Sequence, residues 1–176
     1  MKRILVALSV FLAATVLSAE LAQAHFGMII PSDQMVMKDD IKNITLRLMF
    51  WHPFEAQGME LSKPEAFGVI SNGRDIDLSD KLKSIQKDSH TIWEAVYRIH
   101  RPGLYVFYMK PQPYWEPAED CFIVHYTKTY VTAMGDDEGW DEAIGLKTEI
   151  VPLSKPYGLY AGNVFQGVVM LHGKPV

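Results

Sequence analysis

His25, His52 and His125 are the three of six histidines whose positions suit metal chemistry. His25 follows Ala22-Gln23-Ala24, a small-residue pattern read by signal peptidases. Cleavage after Ala24 makes His25 the first residue of the mature chain. A free α-amine has a pKa of about 7.7–8.0, so it gives up its proton easily near neutral pH. The amine and the imidazole of one residue then chelate a single ion, and a second histidine from elsewhere completes a histidine brace. His52 lies in Phe50-Trp51-His52-Pro53-Phe54-Glu55. It directly follows an expected strand, and Pro53 biases it toward extended backbone. His125 lies within an expected strand, on the face shared with Ile123 and Thr127. Each of the three also reads as an ordinary surface or packed histidine. His100 ends an expected strand beside Arg101, and His90 and His172 read as exposed.

Carboxylates near these histidines suit an outer shell that orients a ligating imidazole. Glu55 follows His52 by three residues. Glu116 and Glu119 flank a loop that also carries Tyr114 and Trp115. Other metal chemistries lack their patterns. There is no H-E-x-x-H, so a zinc protease is not indicated. The acidic run Asp136 to Glu142 lacks the spacing of a calcium-binding loop. Met35 and Met37 aside, the methionines are scattered and read as core packing rather than as a soft copper cluster. No G-x-S-x-G, P-loop or G-x-G-x-x-G occurs, and nothing points to a Ser–His–Asp triad.

The elements that must hold these residues are strands. Ile44 to Phe50 alternates apolar and mixed positions. Ala66 to Ile70 is a short apolar run closed by Ser71-Asn72-Gly73, a tight-turn signal, with Arg74 to Leu78 as the returning strand. Thr91 to His100 and Leu104 to Tyr108 read as a hairpin around Arg101-Pro102-Gly103. Cys121 to Val131 reads as one long strand, and Lys147 to Val151 and Gly167 to Leu171 as two more. A short helix is expected around Ser79 to Ile85. The segments 111–120 and 135–142 read as loops. Many short strands with Gly and Pro punctuation predict an all-β sandwich.

Composition fits that reading. The chain has 176 residues, 48% hydrophobic and 22% charged, with a net charge of −4. These values exclude a disordered tail, a collagen repeat and a multi-pass membrane protein. Basic residues number 17 against 21 acidic ones, without a basic patch, which argues against a nucleic-acid platform. The single Cys121 cannot form an internal disulfide or a cysteine-rich zinc site. Lys2-Arg3, the apolar run Ile4 to Val16 and the A-x-A site predict a signal peptide over residues 1–24. Its apolar run is too short for a good transmembrane helix, so no stable membrane insertion is expected after cleavage. Removing 24 residues from 176 leaves 152. The mature domain, 25–176, loses Lys2, Arg3 and Glu20, which takes the net charge from −4 to −5. A single domain of this size buries roughly 70% of its unfolded surface and needs no staple.

Several motifs together carry a family resemblance. They are Ala24-His25-Phe26-Gly27, Phe50-Trp51-His52-Pro53-Phe54-Glu55, Arg101-Pro102-Gly103-Leu104-Tyr105, Pro113-Tyr114-Trp115-Glu116-Pro117-Ala118-Glu119-Asp120, and Gly158-Leu159-Tyr160-Ala161-Gly162-Asn163. The last runs on into Phe165-Gln166-Gly167 and Gly173-Lys174-Pro175-Val176. In these the chain resembles a periplasmic domain-of-unknown-function family associated with nickel and cobalt uptake transporters. The resemblance implies an immunoglobulin-like β-sandwich in the periplasm that binds Ni(II) or Co(II) and partners a membrane nickel/cobalt transporter. It implies His25 and His52 as ligands; His125 is added from its place in the strand. In the family the closing Gly-Lys-Pro-Val leads into a second β-rich module, so one sandwich without that module is expected here. A negative surface attracts a divalent cation modestly. Binding is expected to weaken below about pH 7, because the ligands must be deprotonated. The alternative is a Cu(II) brace, in a copper carrier or an oxidative enzyme acting on a polymer. A binding or adhesion sandwich with structural histidines is a third.

Overall fold

The computed structural model describes residues 26–116 and 119–176. The expected signal peptide, 1–24, and His25 lie outside the described residues. Two mainly antiparallel sheets face each other. The first contains β1 (Phe26–Pro31), β3 (Asn43–His52), β8 (His90–Arg98) and β7 (Lys83–Lys87) in that order, with β4 (Gln57–Met59) also pairing with β3. The second runs β2 (Met35–Val36), β12 (Thr127–Ala133), β9 (Gly103–Lys110), β5 (Ala66–Ser71) and β6 (Arg74–Asp77). Alternation along each strand decides which side chains go inward. In β3, Ile44, Leu46, Leu48 and Phe50 line the core. They meet Phe67 and Val69 of β5, Phe107 and Met109 of β9, and Val131 of β12. Each such side chain stabilises the fold by about 1.5–3 kcal/mol on burial. Phe107→Ala, at a site with no exposure, would cost about 3–5 kcal/mol through the cavity it leaves.

The arrangement is immunoglobulin-like. Four strands ordered β1-β3-β8-β7 face a second sheet centred on β12-β9-β5, as in an ABED sheet over a GFC sheet. β2 joins the second sheet by pairing parallel to β12. The Asn72-Gly73 turn forms as its sequence predicts. Both residues have positive φ, 50° and 69°, and β5 returns as β6 with Ser71 opposite Arg74.

Three expectations about elements change. β8 and β9 do not form a hairpin: they lie in different sheets. Arg101-Pro102-Gly103 is an intersheet corner. Tyr105 Oη donates to the Arg101 carbonyl at 2.9 Å and accepts from the Arg101 N–H at 3.3 Å, the tyrosine corner of such sandwiches. The expected helix is a single 3₁₀ turn, Ser79–Lys81. Asp77 Oδ1 accepts the Ser79 N–H at 2.9 Å, and the chain then extends into β7, where Ile85 pairs with Ile92. The long strand expected from Cys121 to Val131 is two strands. β11 (Cys121–Ile123) pairs with β10 (Tyr114–Glu116) in a separate hairpin, and β10 falls within the expected 111–120 loop. β12 starts at Thr127, so residues 124–126 carry the chain from one partner to another.

A three-stranded sheet, β13 (Thr148–Pro152), β14 (Gly167–Leu171) and β15 (Lys174–Pro175), completes the fold. The buried Glu149 of β13 fastens it to β12. Its carboxylate accepts from Lys128 Nζ at 2.7 Å, from the Ile144 N–H at 3.0 Å and from the Gly145 N–H at 2.9 Å.

Candidate metal centre

His52 is the last residue of β3 and continues the core-facing row of Leu48 and Phe50. It is 5% exposed. Pro53 ends the strand, because proline has no N–H for the ladder. The turn that follows brings Glu55 back, so its carboxylate contacts Nδ1 of His52. The ring of Phe54 stands edge-on to the imidazole at 6.2 Å.

β1 runs beside this end of β3 in antiparallel register. Phe26 pairs with Trp51 and Gly27 with Phe50. Gly27 is there because the second sheet comes close. A Cβ on it would stand 3.0 Å from Thr127 Oγ1 and 3.1 Å from His125 Cβ, tighter than ordinary packing. Thr127 Oγ1 donates to the Gly27 carbonyl at 2.9 Å and lies 3.1 Å from the His125 carbonyl.

His125 therefore packs against β1 from the residues that lead into β12, not from mid-strand. Its imidazole stacks on Tyr114, with ring centroids 5.5 Å apart and planes 21° from parallel. Phe50 stands edge-on to both rings, 5.2 Å from His125 and 4.8 Å from Tyr114. His125 Nε2 is 3.4 Å from Tyr114 Oη, and Tyr114 donates to Glu116 Oε2 at 3.3 Å. Burial first, then the Glu116 carboxylate, raises the Tyr114 pKa, so the phenol keeps its proton.

Both described ligand candidates neighbour Phe50. His52 follows Phe50 on the same face, and His125 rests on the Phe50 ring. Among the described residues, no three His, Cys, Asp or Glu side chains form a group able to hold an ion. The third candidate, His25, is outside them, one residue before Phe26. Of the carboxylates, Glu55 contacts His52, and Glu116 is linked to His125 through Tyr114. Glu119 is exposed in the turn of the β10–β11 hairpin. Trp115 packs on Phe122 at 5.1 Å, on the hairpin face opposite Tyr114. Among the residues with no role assigned from sequence, Gly27, Thr127 and Phe50 shape the site.

The family described as domain of unknown function DUF4198 matches residues 22–176. The chain belongs to this family. No curated protein and no solved structure matches it. In this family member His125 divides two spaces. On one side is a cavity of about 50 Å³ lined by Phe50, Leu61, Pro113 and Tyr114. On the other is a groove of about 430 Å³ that starts at Phe26 and Gly27 and runs between β12 and the β13–β14 sheet.

Proposed function

We propose that the protein is a periplasmic transition-metal carrier that binds Ni(II) or Co(II) and hands it to a membrane uptake transporter. The observation that supports it best is the β1–β3 register, which ends at Phe26 opposite Trp51. His25 directly precedes Phe26 in the chain, and His52 directly follows Trp51. Backbone connectivity keeps the two Cα atoms of His25 and Phe26 about 3.8 Å apart. The amine and imidazole of His25 and the imidazole of His52 then make the brace, and His125 approaches from beside Gly27. The contact between Glu55 and His52 suits the carboxylate–histidine pairing common behind metal ligands. The transporter and the compartment rest on the family resemblance and on the residues before His25. Ni(II) is not selected by affinity, since Cu(II) outranks it at nitrogen and oxygen sites; geometry or supply must select it.

The test is titration of protein that begins at His25 with Ni(II), Co(II) and Cu(II), repeated with one Gly added before His25. The expected result is one ion per chain, with affinity at least tenfold weaker in the extended protein. Equal affinities would sink the brace, and no binding would leave a structural sandwich.

One observation favours a second reading. The hairpin that carries Tyr114 exposes the aromatic pair Trp115 and Phe122, and Phe54 beside His52 is 87% exposed. Flat aromatic surface near a brace suits a copper enzyme acting on a polymer. Tight Cu(II) binding with turnover under reductant and peroxide would establish that reading.

A further inference from the structure

We propose that the groove beside β12 binds an extended, uncharged peptide segment of a partner protein, which adds a strand to the free edge at Lys128 and Tyr130. The reading is independent of the metal site. Along an antiparallel ladder, the backbone groups of successive residues point to opposite sides. The Thr132 N–H donates to the Gln34 carbonyl at 2.9 Å, and the Met134 N–H to the Val36 carbonyl at 2.8 Å. The even-numbered residues here therefore turn away from β9, toward the edge that β2 covers. β2 pairs only with Thr132 and Ala133. Lys128 and Tyr130 turn the same way, short of β2, and among the described residues nothing bonds to their N–H and C=O groups. Two such residues present donors and acceptors about 6.8 Å apart, the two-residue repeat of an extended peptide. The groove of about 430 Å³ at this edge decides what kind of peptide. It starts at Phe26 and runs between β12 and Ile150 of β13, with Leu159 and Phe165 from the connection to β14. These four apolar side chains are each 42–47% exposed, so covering them drives docking. Lys128 and Glu149, the acid and the base of the lining, pair with each other at 2.7 Å. With those charges matched internally, the groove offers no counter-charge to a charged segment. A free edge, apolar walls and balanced charge together select a strand of about five residues with β-branched or other apolar side chains.

The probe is the capped peptide acetyl-Thr-Val-Thr-Val-Thr-amide, and the readout is amide hydrogen exchange in the ¹⁵N-labelled protein beginning at His25. In the free protein the Lys128 and Tyr130 N–H groups should exchange fast, and those of Thr129 and Val131, which face β9, slowly. Saturating peptide should slow the first two. Methylating every peptide nitrogen should weaken binding by about tenfold or more, because the bonds to the edge are lost. Leu159→Glu and Phe165→Glu, at half-exposed sites, should weaken it by about tenfold with an unchanged melting temperature. Slow exchange at Lys128 and Tyr130 in the free, dilute protein would show that the edge is closed and overturn the proposal. Protection that grows with protein concentration in the absence of peptide would assign the groove to a second copy instead. The proposal also falls if no binding is seen at about 1 mM peptide, if the methylated peptide binds equally, or if both Glu variants bind like the wild type. The exchange and methylated-peptide measurements need no variant to fold.

Discussion

Thr127 donates its hydroxyl proton to the carbonyl of Gly27 at 2.9 Å, and this bond ties the open edge of one sheet to the first strand of the other. The fit on both sides of it is close. Gly27→Ala puts a methyl group 3.0 Å from the Thr127 oxygen and 3.1 Å from His125 Cβ. The strand must move away, at a cost of about 1–3 kcal/mol. The shift separates β1 from His125. We expect a lower midpoint in urea and weaker Ni(II) binding, with Thr127→Val reproducing the second effect in milder form. Unchanged binding in Gly27→Ala would show that the approach of β1 to His125 does not matter to the site.

His52→Ala should abolish stoichiometric metal binding, measured by titration of the protein beginning at His25. Glu55→Gln should weaken it by about 10–100-fold, as for other partners of ligating histidines. If both variants bind like the wild type, the ligands lie elsewhere.

Burial alone would raise the pKa of Glu149, but Lys128 and the N–H groups of Ile144 and Gly145 outweigh it and hold the carboxyl below the ordinary value of 4.5. A carboxyl depressed in the folded state contributes stability above its unfolded pKa and loses it as pH falls through the folded value. This contribution is therefore whole at pH 7 and declines on acidification below about pH 4.5. Lys128→Met strands a buried carboxylate and should cost about 3–5 kcal/mol at pH 7. It should also lessen the acid loss, because Glu149 is then easier to protonate. Urea melts at pH 7 and pH 4 check both effects.

Tyr105→Phe removes the two contacts with Arg101 at the intersheet corner. Because Arg101 is exposed, water replaces part of what is lost. We expect a cost of about 0.5–1.5 kcal/mol. Calorimetry should show this as a melting temperature lower by roughly 2–4 °C per kcal/mol. Metal affinity should not change, since the corner is not among the contacts around Phe50.

The parts of the fold legible in the sequence are those written in local periodicity. Ile44, Leu46, Leu48 and Phe50 announce a strand with one buried face, and Asn72-Gly73 announces its tight turn. In sequence the intersheet corner reads as a hairpin, because Arg101-Pro102-Gly103 turns the chain equally well in both. Only the distant partners of β8 and β9 tell them apart. The break before Thr127 is hidden for the same reason: Phe122 to Val131 keeps its alternation while changing neighbours. In the site, Glu55 was legible from its spacing to His52. Tyr114 reads as a loop residue in sequence, and no local pattern connects it to His125, eleven positions on. Gly27 has an extended backbone and no turn signal. Its reason for being glycine lies wholly in Thr127 and His125.

The bond between Gly27 and Thr127 joins residues one hundred positions apart. β1 enters the sequence first, but it has nothing to clasp in the second sheet until β12 is made. Contacts this distant are slow to form, because the intervening chain must be ordered first. A half-made chain holds Gly27, Phe50 and His125 in separate segments. The pocket is therefore a mark of completion: it exists only once β12 has been made and has closed on β1.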